Sequence, residues 1–116
     1  MRIAMLIYKI FRRPEWEALQ DQGDTDGAPI DLADGYIHFS TAGQARETAA
    51  KHFAGQDDLV LAAVEADTLG DALKWEPSRG GALFPHLYRR LSLAEIAWSA
   101  PLSLGPEGHD FPQDMA

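Results

Sequence analysis

Apolar positions run almost unbroken over residues 3–10, the pattern of a strand covered on both faces. Pro14 then opens a helix carrying Trp16, Ala18 and Leu19, which ends before Gly23. Residues 21–29 are polar and turn-rich, and Asp34-Gly35 is a turn that leads into a strand over residues 36–40. Thr41-Ala42-Gly43-Gln44 fits a capping box. The helix it opens places Ala42, Ala45, Ala49, His52 and Phe53 on one face and stops at Gly55. Residues 59–64 form the cleanest buried strand. A helical turn near residues 68–72 and a strand over 73–76 follow. Paired glycines relax the loop Pro77-Ser78-Arg79-Gly80-Gly81. Residues 83–91 read as a strand, and Ser92-Leu93-Ala94-Glu95 as one capped turn before a strand over 96–100. The Gly-, Pro- and acid-rich segment after Leu102 is expected to fray. This order gives one α+β domain over residues 1–102 and a flexible tail over 103–116.

Composition narrows the classes of function. A chain of 116 residues fits one domain. It has no cysteine, which excludes disulfides, thiolate metal sites and cysteine nucleophiles and suits a reducing cytoplasm. The N-terminal apolar run is too short to span a bilayer and lacks a small-residue cleavage site, so no membrane partner is expected. A formal net charge of −8 argues against duplex nucleic acid, which needs a broad basic face. It leaves room for one locally held phosphate. The basic residues gather at Arg12-Arg13, Lys51-His52, Arg79 and Arg89-Arg90.

Strand parity supplies the candidate site. Side chains alternate across a sheet, so Tyr36, His38 and Ser40 share one face, opposite Ile37 and Phe39. Phe84, His86 and Tyr88 likewise share a face. Two strands thus offer faces that mix imidazole, hydroxyl and aromatic groups, the usual lining of a small-molecule cleft. His38 and His86 are the acid–base candidates. Trp75 either packs or stacks a base, and Arg79, beside Gly80-Gly81, is placed to fork onto an anion. Thr41 is accounted for by capping and Lys51-His52 by the helix dipole, although each is also a ligand candidate. His38, His52 and His86 lack compact metal-ligand spacing, so no metal is expected. No phosphate-cradling glycine motif and no nucleophile elbow around Ser40 is present.

Several motifs follow one another in order: Ile7-Tyr8-Lys9-Ile10, Asp34-Gly35-Tyr36-Ile37-His38-Phe39-Ser40-Thr41, His52-Phe53-Ala54-Gly55-Gln56, Lys74-Trp75-Glu76, Ser78-Arg79-Gly80-Gly81 and Leu83-Phe84-Pro85-His86-Leu87-Tyr88. With them the chain resembles, over roughly residues 3–100, the bacterial and plant family called domain of unknown function 952. More distantly, the order of elements is similar to the NAD-binding half of tRNA 2′-phosphotransferases, which have the ADP-ribosyltransferase-like fold. His38-Phe39-Ser40 before an alanine-rich helix, Lys51-His52 near its end and Ser78-Arg79-Gly80-Gly81 before Leu83-Phe84 carry that likeness. It implies a mixed, strongly curved sheet with flanking helices. It also admits NAD or another nucleotide as cofactor. The first strand departs from the superfamily motif that holds the nicotinamide ribose, reading Tyr8-Lys9-Ile10-Phe11.

Together these features lead to the expectation of a cleft for a nucleotide or phosphorylated small molecule, with ADP-ribosyl or phosphoryl transfer as its chemistry. His38 and His86 are its catalytic candidates. Its ligand-binding candidates are Tyr8, Ser40, Thr41, Lys51, His52, Trp75, Glu76, Ser78, Arg79 and Tyr88. A non-catalytic binding or regulatory module is the alternative, and so is an acidic, immunity-like interaction protein.

Overall fold

The chain is described by a computed structural model over residues 5–113 and 115, with Arg79 described in its backbone alone. In chain order its elements are β1 (Leu6–Arg12), α1 (Arg13–Gln22), β2 (Asp24–Thr25), α2 (Pro29–Asp34), β3 (Ile37–His38), α3 (Ala42–His52), β4 (Leu59–Glu65), β5 (Leu73–Pro77), β6 (Leu83–Leu87), β7 (Leu91–Ser92), β8 (Ile96–Gly105) and β9 (Gly108–Asp110). A short 3-10 segment over Ala66–Ala72 leads from β4 to β5.

The strands form three antiparallel groups, ordered β1-β4-β8-β9, β2-β7 and β3-β6-β5. The first and third are joined where Tyr8 N–H donates to Ser40 O at 2.7 Å and Ser40 N–H donates to Tyr8 O at 2.8 Å. That bridge closes the strands into a curled half-barrel. The fold is α+β with a curved sheet, as expected. Its strand pairings are antiparallel throughout the described residues, where a mixed sheet was expected.

Local chemistry explains the helices. The carboxylate of Glu15 accepts from Arg12 N–H at 2.9 Å at the start of α1. Gly23, at φ +84°, ends that helix by donating to Leu19 O at 2.8 Å. Thr41 caps α3, its hydroxyl accepting from Gln44 N–H while the Gln44 side chain accepts from Thr41 N–H. Ala45 and Ala49 are fully buried, and these small side chains let α3 lie close to β1. Strand β1 is covered on both faces: Ile7 and Phe11 join the core with Leu19, Ile37 and Leu87, while Tyr8 and Ile10 join the core with Ala49, Leu61 and Leu102.

Five segments differ from the sequence expectation, the first being the two-residue strand β2 inside the polar segment over residues 21–29. Residues 29–34 form α2, where no helix was expected, because Pro29 starts the helix and Asp31 reaches back to accept from Ala28 N–H at 2.7 Å; the expected turn follows at Gly35. The strand expected over 36–40 is a two-residue ladder plus the isolated bridge at Ser40. The strand expected over 83–91 stops at Leu87, since Tyr88 N–H turns to Ala72 O and Leu91 pairs instead with β2. The segment expected to fray from residue 103 continues as a β8–β9 hairpin, in which Ser103 opposes Asp110 and buried Leu102 opposes Leu59. Its Gly and Pro form a turn, with Gly108 at φ +116°.

Candidate functional site

Past the Tyr8–Ser40 bridge, β1 and β3 share no further ladder pairing among the described residues. A cleft of about 600 Å³ opens beside this fork. Ile10 and Arg12 of β1 line it, as do Tyr36, His38 and Ser40 around β3, Phe84 and His86 of β6, and Thr48 and His52 of α3.

His38 and His86 are direct cross-strand partners, and their ring centroids lie 5.5 Å apart. The Tyr36 ring stacks on His86 at 4.1 Å, tilts over His38 at 4.6 Å and meets Tyr88 at 5.3 Å. Each imidazole is held by a carboxylate of its own. Nδ1 of His38 is 2.5 Å from Oδ1 of Asp31, and the same oxygen accepts from His38 N–H at 3.1 Å. Nε2 of His38 is 3.0 Å from Oδ2 of Asp34. Nδ1 of His86 is 2.8 Å from Oε1 of Glu76, which also accepts from the Tyr88 hydroxyl at 2.7 Å. His86 is only 3% exposed, and its Nε2 has no partner among the described residues.

Asp31 is the hub of this half of the site. It is 1% exposed and bonds Lys9 Nζ at 2.8 Å, Ala28 N–H and both His38 donors. Burial alone raises a carboxyl's pKa. Here the His38 hydrogen bond, the Lys9 charge and hydrogen bond, and the Ala28 amide reverse that and bring it down to about 2. Glu76 is lowered by the Tyr88 hydroxyl and then by His86. In return the Glu76 hydrogen bond pushes Tyr88 up to about 12. Tyr36 is also raised, by burial and then by the nearby charges of Asp34, Glu76 and Asp31.

Of the remaining candidates, Tyr8, Ser40, His52 and Ser78 line the cleft. Tyr8 is buried with its ring edge-on to Trp98, and Ser40 Oγ is 2.8 Å from Thr48 Oγ1. Glu76 and Tyr88 act on the site through His86 and the Tyr36 stack rather than as lining residues. Three candidates lie elsewhere. Thr41 is spent on its cap. Lys51 is an exposed partner of Glu47 at 3.0 Å. Trp75 opposes Pro85 in the ladder, which places it on the face opposite His86 and Lys74. The Arg79 side chain falls outside the described residues.

Sequence reasoning passed over Lys9, Asp31, Asp34 and Arg12. Lys9 carried a signal: a cation inside an otherwise apolar two-sided strand needs a buried counter-charge. The Arg12 guanidinium stacks on Phe53 at 4.8 Å, donates from Nε to Gln56 and keeps a long 3.5 Å contact from Nη1 to Glu15. Its Nη2 has no partner among the described residues. No group of three or more His, Asp or Glu among the described residues is arranged to hold a metal ion. No described helix is long and apolar enough to cross a membrane.

A comparison with curated proteins finds no match. Among solved structures, the chain is similar to the crystal structure of protein CC0527 from Caulobacter crescentus. The two share 58% identity and a TM-score of 0.86, over 90% of this chain and 91% of that one. The solution NMR structure of the same protein matches with a TM-score of 0.81 and 58% identity, over 90% of each chain. The family model described as "Protein of unknown function (DUF952)" matches residues 10–99. With that match over most of its length, the chain belongs to the DUF952 family.

Proposed function

We propose that the cleft binds a nucleotide or another small phosphorylated molecule in the cytoplasm, and that His38 and His86 serve it as hydrogen-bond donors and acid–base groups in a transfer reaction. The observation that carries this reading is the pair of imidazoles 5.5 Å apart on one concave surface, each oriented by its own carboxylate. A base with a fixed orienting partner is the arrangement acid–base chemistry requires. About 600 Å³ falls within the usual size range of small-molecule sites.

The roles shift within the site. Arg12, with a free guanidinium edge, takes the anion-facing part, whereas Lys51 already has Glu47 as its partner. Tyr36 takes the stacking part assigned to Trp75. Lys9 is bound to Asp31, so it supports the cleft wall rather than gripping a ribose.

A thermal-shift series with NAD, ADP-ribose, nucleoside monophosphates and sugar phosphates tests the reading. At about a hundred times its Kd a ligand adds about 2.7 kcal/mol of stability. At least one of these compounds should raise Tm, and Arg12→Lys should remove most of the rise when measured from the Tm of the free variant, which also loses the Gln56 and Phe53 contacts. Binding without turnover of any of them would favour the regulatory-module alternative. No shift with any compound would overturn the proposal.

A further inference from the structure

We infer that His86 and His38 form a general-base and general-acid pair for cleaving a phosphate diester by direct displacement at phosphorus. This rests on the proposed phosphorylated ligand and assigns it a chemical class.

The two imidazoles are not equivalent. His86 donates Nδ1–H to Glu76, so in the neutral ring its second nitrogen is a bare acceptor, buried and without a partner among the described residues. A bare nitrogen on a ring that lines the cleft is the form that takes a proton. His38 donates Nδ1–H to Asp31 and has an Asp34 oxygen 3.0 Å from Nε2, so a proton carried on Nε2 sits between the ring and a carboxylate. That is the form that gives one. Asp34 lines the cleft with 43% of its side chain exposed, and a substrate oxygen replaces it beside Nε2. Glu76 and Asp31 are positioning residues, and Glu76 is steadied in turn by Tyr88.

The rest of the cleft selects the reaction. Ser40 Oγ is engaged by Thr48, and the chain has no cysteine, so the attacking oxygen belongs to water or to the substrate's own hydroxyl. Asp34 and Glu15 both line the cleft and favour a singly charged diester over a doubly charged monoester without barring the latter. A diester carries one negative charge, which the free edge of Arg12 can meet. Its alkoxide is a poor leaving group, and a proton from His38 relieves that.

The step balances. His86 Nε2 removes the proton of water while the water oxygen forms a bond to phosphorus. The bond from phosphorus to the leaving oxygen breaks, its electron pair stays on that oxygen, and His38 Nε2–H protonates it. The products are a phosphate monoester and an alcohol. Exchange of one proton with solvent at each histidine restores the starting forms.

The test uses a cyclic nucleoside monophosphate and an open dinucleotide, followed by phosphorus NMR, alongside thermal shift with the matching nucleoside monophosphate. The pH–rate profile should be bell-shaped. The charged and titratable groups facing His38 are Asp31, Asp34, Lys9, Tyr36 and His86; those facing His86 are Glu76, Tyr36, Lys74 and His38. His86→Gln should lose at least about a hundredfold in rate together with the acid limb, and His38→Gln a similar amount with the alkaline limb. A 4-nitrophenyl diester, whose leaving group needs no proton, should largely spare His38→Gln. Glu76→Gln, on the more exposed partner, should slow turnover while leaving Tm within a few degrees. If a nucleoside monophosphate binds but no diester is cleaved, the pair is not catalytic and the binding proposal stands. If neither binds nor reacts, both fall. Cleavage that survives both histidine substitutions would overturn the assignment.

Discussion

Lys9 Nζ lies 2.8 Å from Asp31 Oδ2, and both side chains are buried. A buried pair of this kind adds little net stability, because two charges must leave water to form it. Breaking it is another matter. Asp31→Asn leaves the ammonium without a counter-charge and removes the acceptor that orients His38, and it should cost about 3–5 kcal/mol in urea denaturation. Replacing both partners with apolar residues, as in Lys9→Met with Asp31→Leu, should recover much of that loss while leaving His38 Nδ1 without its acceptor. A double variant no more stable than Asp31→Asn would mean that the ion pair is not what makes the single change costly.

The same carboxylate makes stability depend on pH. Asp31 falls to about 2 in the folded chain, from an ordinary value of 3.8. A depressed folded pKa favours folding fully above the unfolded value and loses that effect as the pH drops through the folded one. The shift corresponds to about 2 kcal/mol. Wild type should therefore lose that amount between about pH 4 and about pH 2, beyond what other acids contribute. The gap between wild type and Asp31→Asn should narrow over the same interval. A gap that stays constant down to about pH 2 would contradict the assignment of the shift to Asp31.

Gly27 explains how Asp31 is kept in place. It sits at φ +103°, and a Cβ there would collide with the Asp31 carboxylate and its Cβ. Gly23, at φ +84°, has open space where its Cβ would go. Both changes to alanine incur left-handed strain of about 1–2 kcal/mol. Only Gly27→Ala should also disturb the His38 ring resonances in NMR. Equal costs with unchanged His38 signals in both variants would show that the loop absorbs the clash.

What the sequence made legible follows from which interactions are local. The Thr41–Gln44 capping box, the Gly23 stop and the alternation that sets His38 opposite Ile37 depend on neighbours within four residues, and each could be read directly. The cross-strand meeting of His38 with His86 requires one further fact, the pairing of β3 with β6, which parity alone does not supply. Asp31 was hidden for a different reason. Its partners Lys9 and His38 lie 22 and 7 residues away, and the α2 helix that carries it has only six residues and little periodicity. Trp75 misled because an aromatic beside a glycine-rich loop resembles a stacking residue until ladder register assigns its face. The β8–β9 hairpin was hidden by composition: turn residues beside acids look alike in a frayed tail and in a tight turn.

Glu76 and Tyr88 make a test that needs no ligand. The Tyr88 hydroxyl donates to Glu76, and this holds its pKa up at about 12. In an alkaline absorbance titration one tyrosine should ionise late. Glu76→Gln removes the carboxylate charge and should move that ionisation back toward the ordinary value of 10.0. Because Glu76 also faces Tyr36, a smaller downward shift of a second tyrosine should accompany it. An unchanged titration curve would mean that the Glu76–Tyr88 bond does not persist in solution, and His86 would lose part of its support.

Tyr36 and Trp75 offer competing surfaces for a flat ligand, and the ladder separates them. Tyr36 lines the cleft and already stacks on His86 at 4.1 Å, so a base entering there meets a ring whose face is set by both histidines. Trp75 is 37% exposed but lies on the other face of β5, paired with Pro85. Stacking on an aromatic is worth about 1–3 kcal/mol per base. Tyr36→Leu should therefore weaken binding of a nucleoside monophosphate by that amount, whereas Trp75→Leu should leave its Kd within about twofold. Tyr36→Leu also removes packing from His86, so Kd should be compared for ribose phosphate, which has no base to stack. If Tyr36 stacks a base, the loss appears with the nucleotide and not with ribose phosphate. Equal losses for both ligands would show that the ring acts by holding His86, and a loss confined to Trp75→Leu would place the bound base on the opposite face of the sheet.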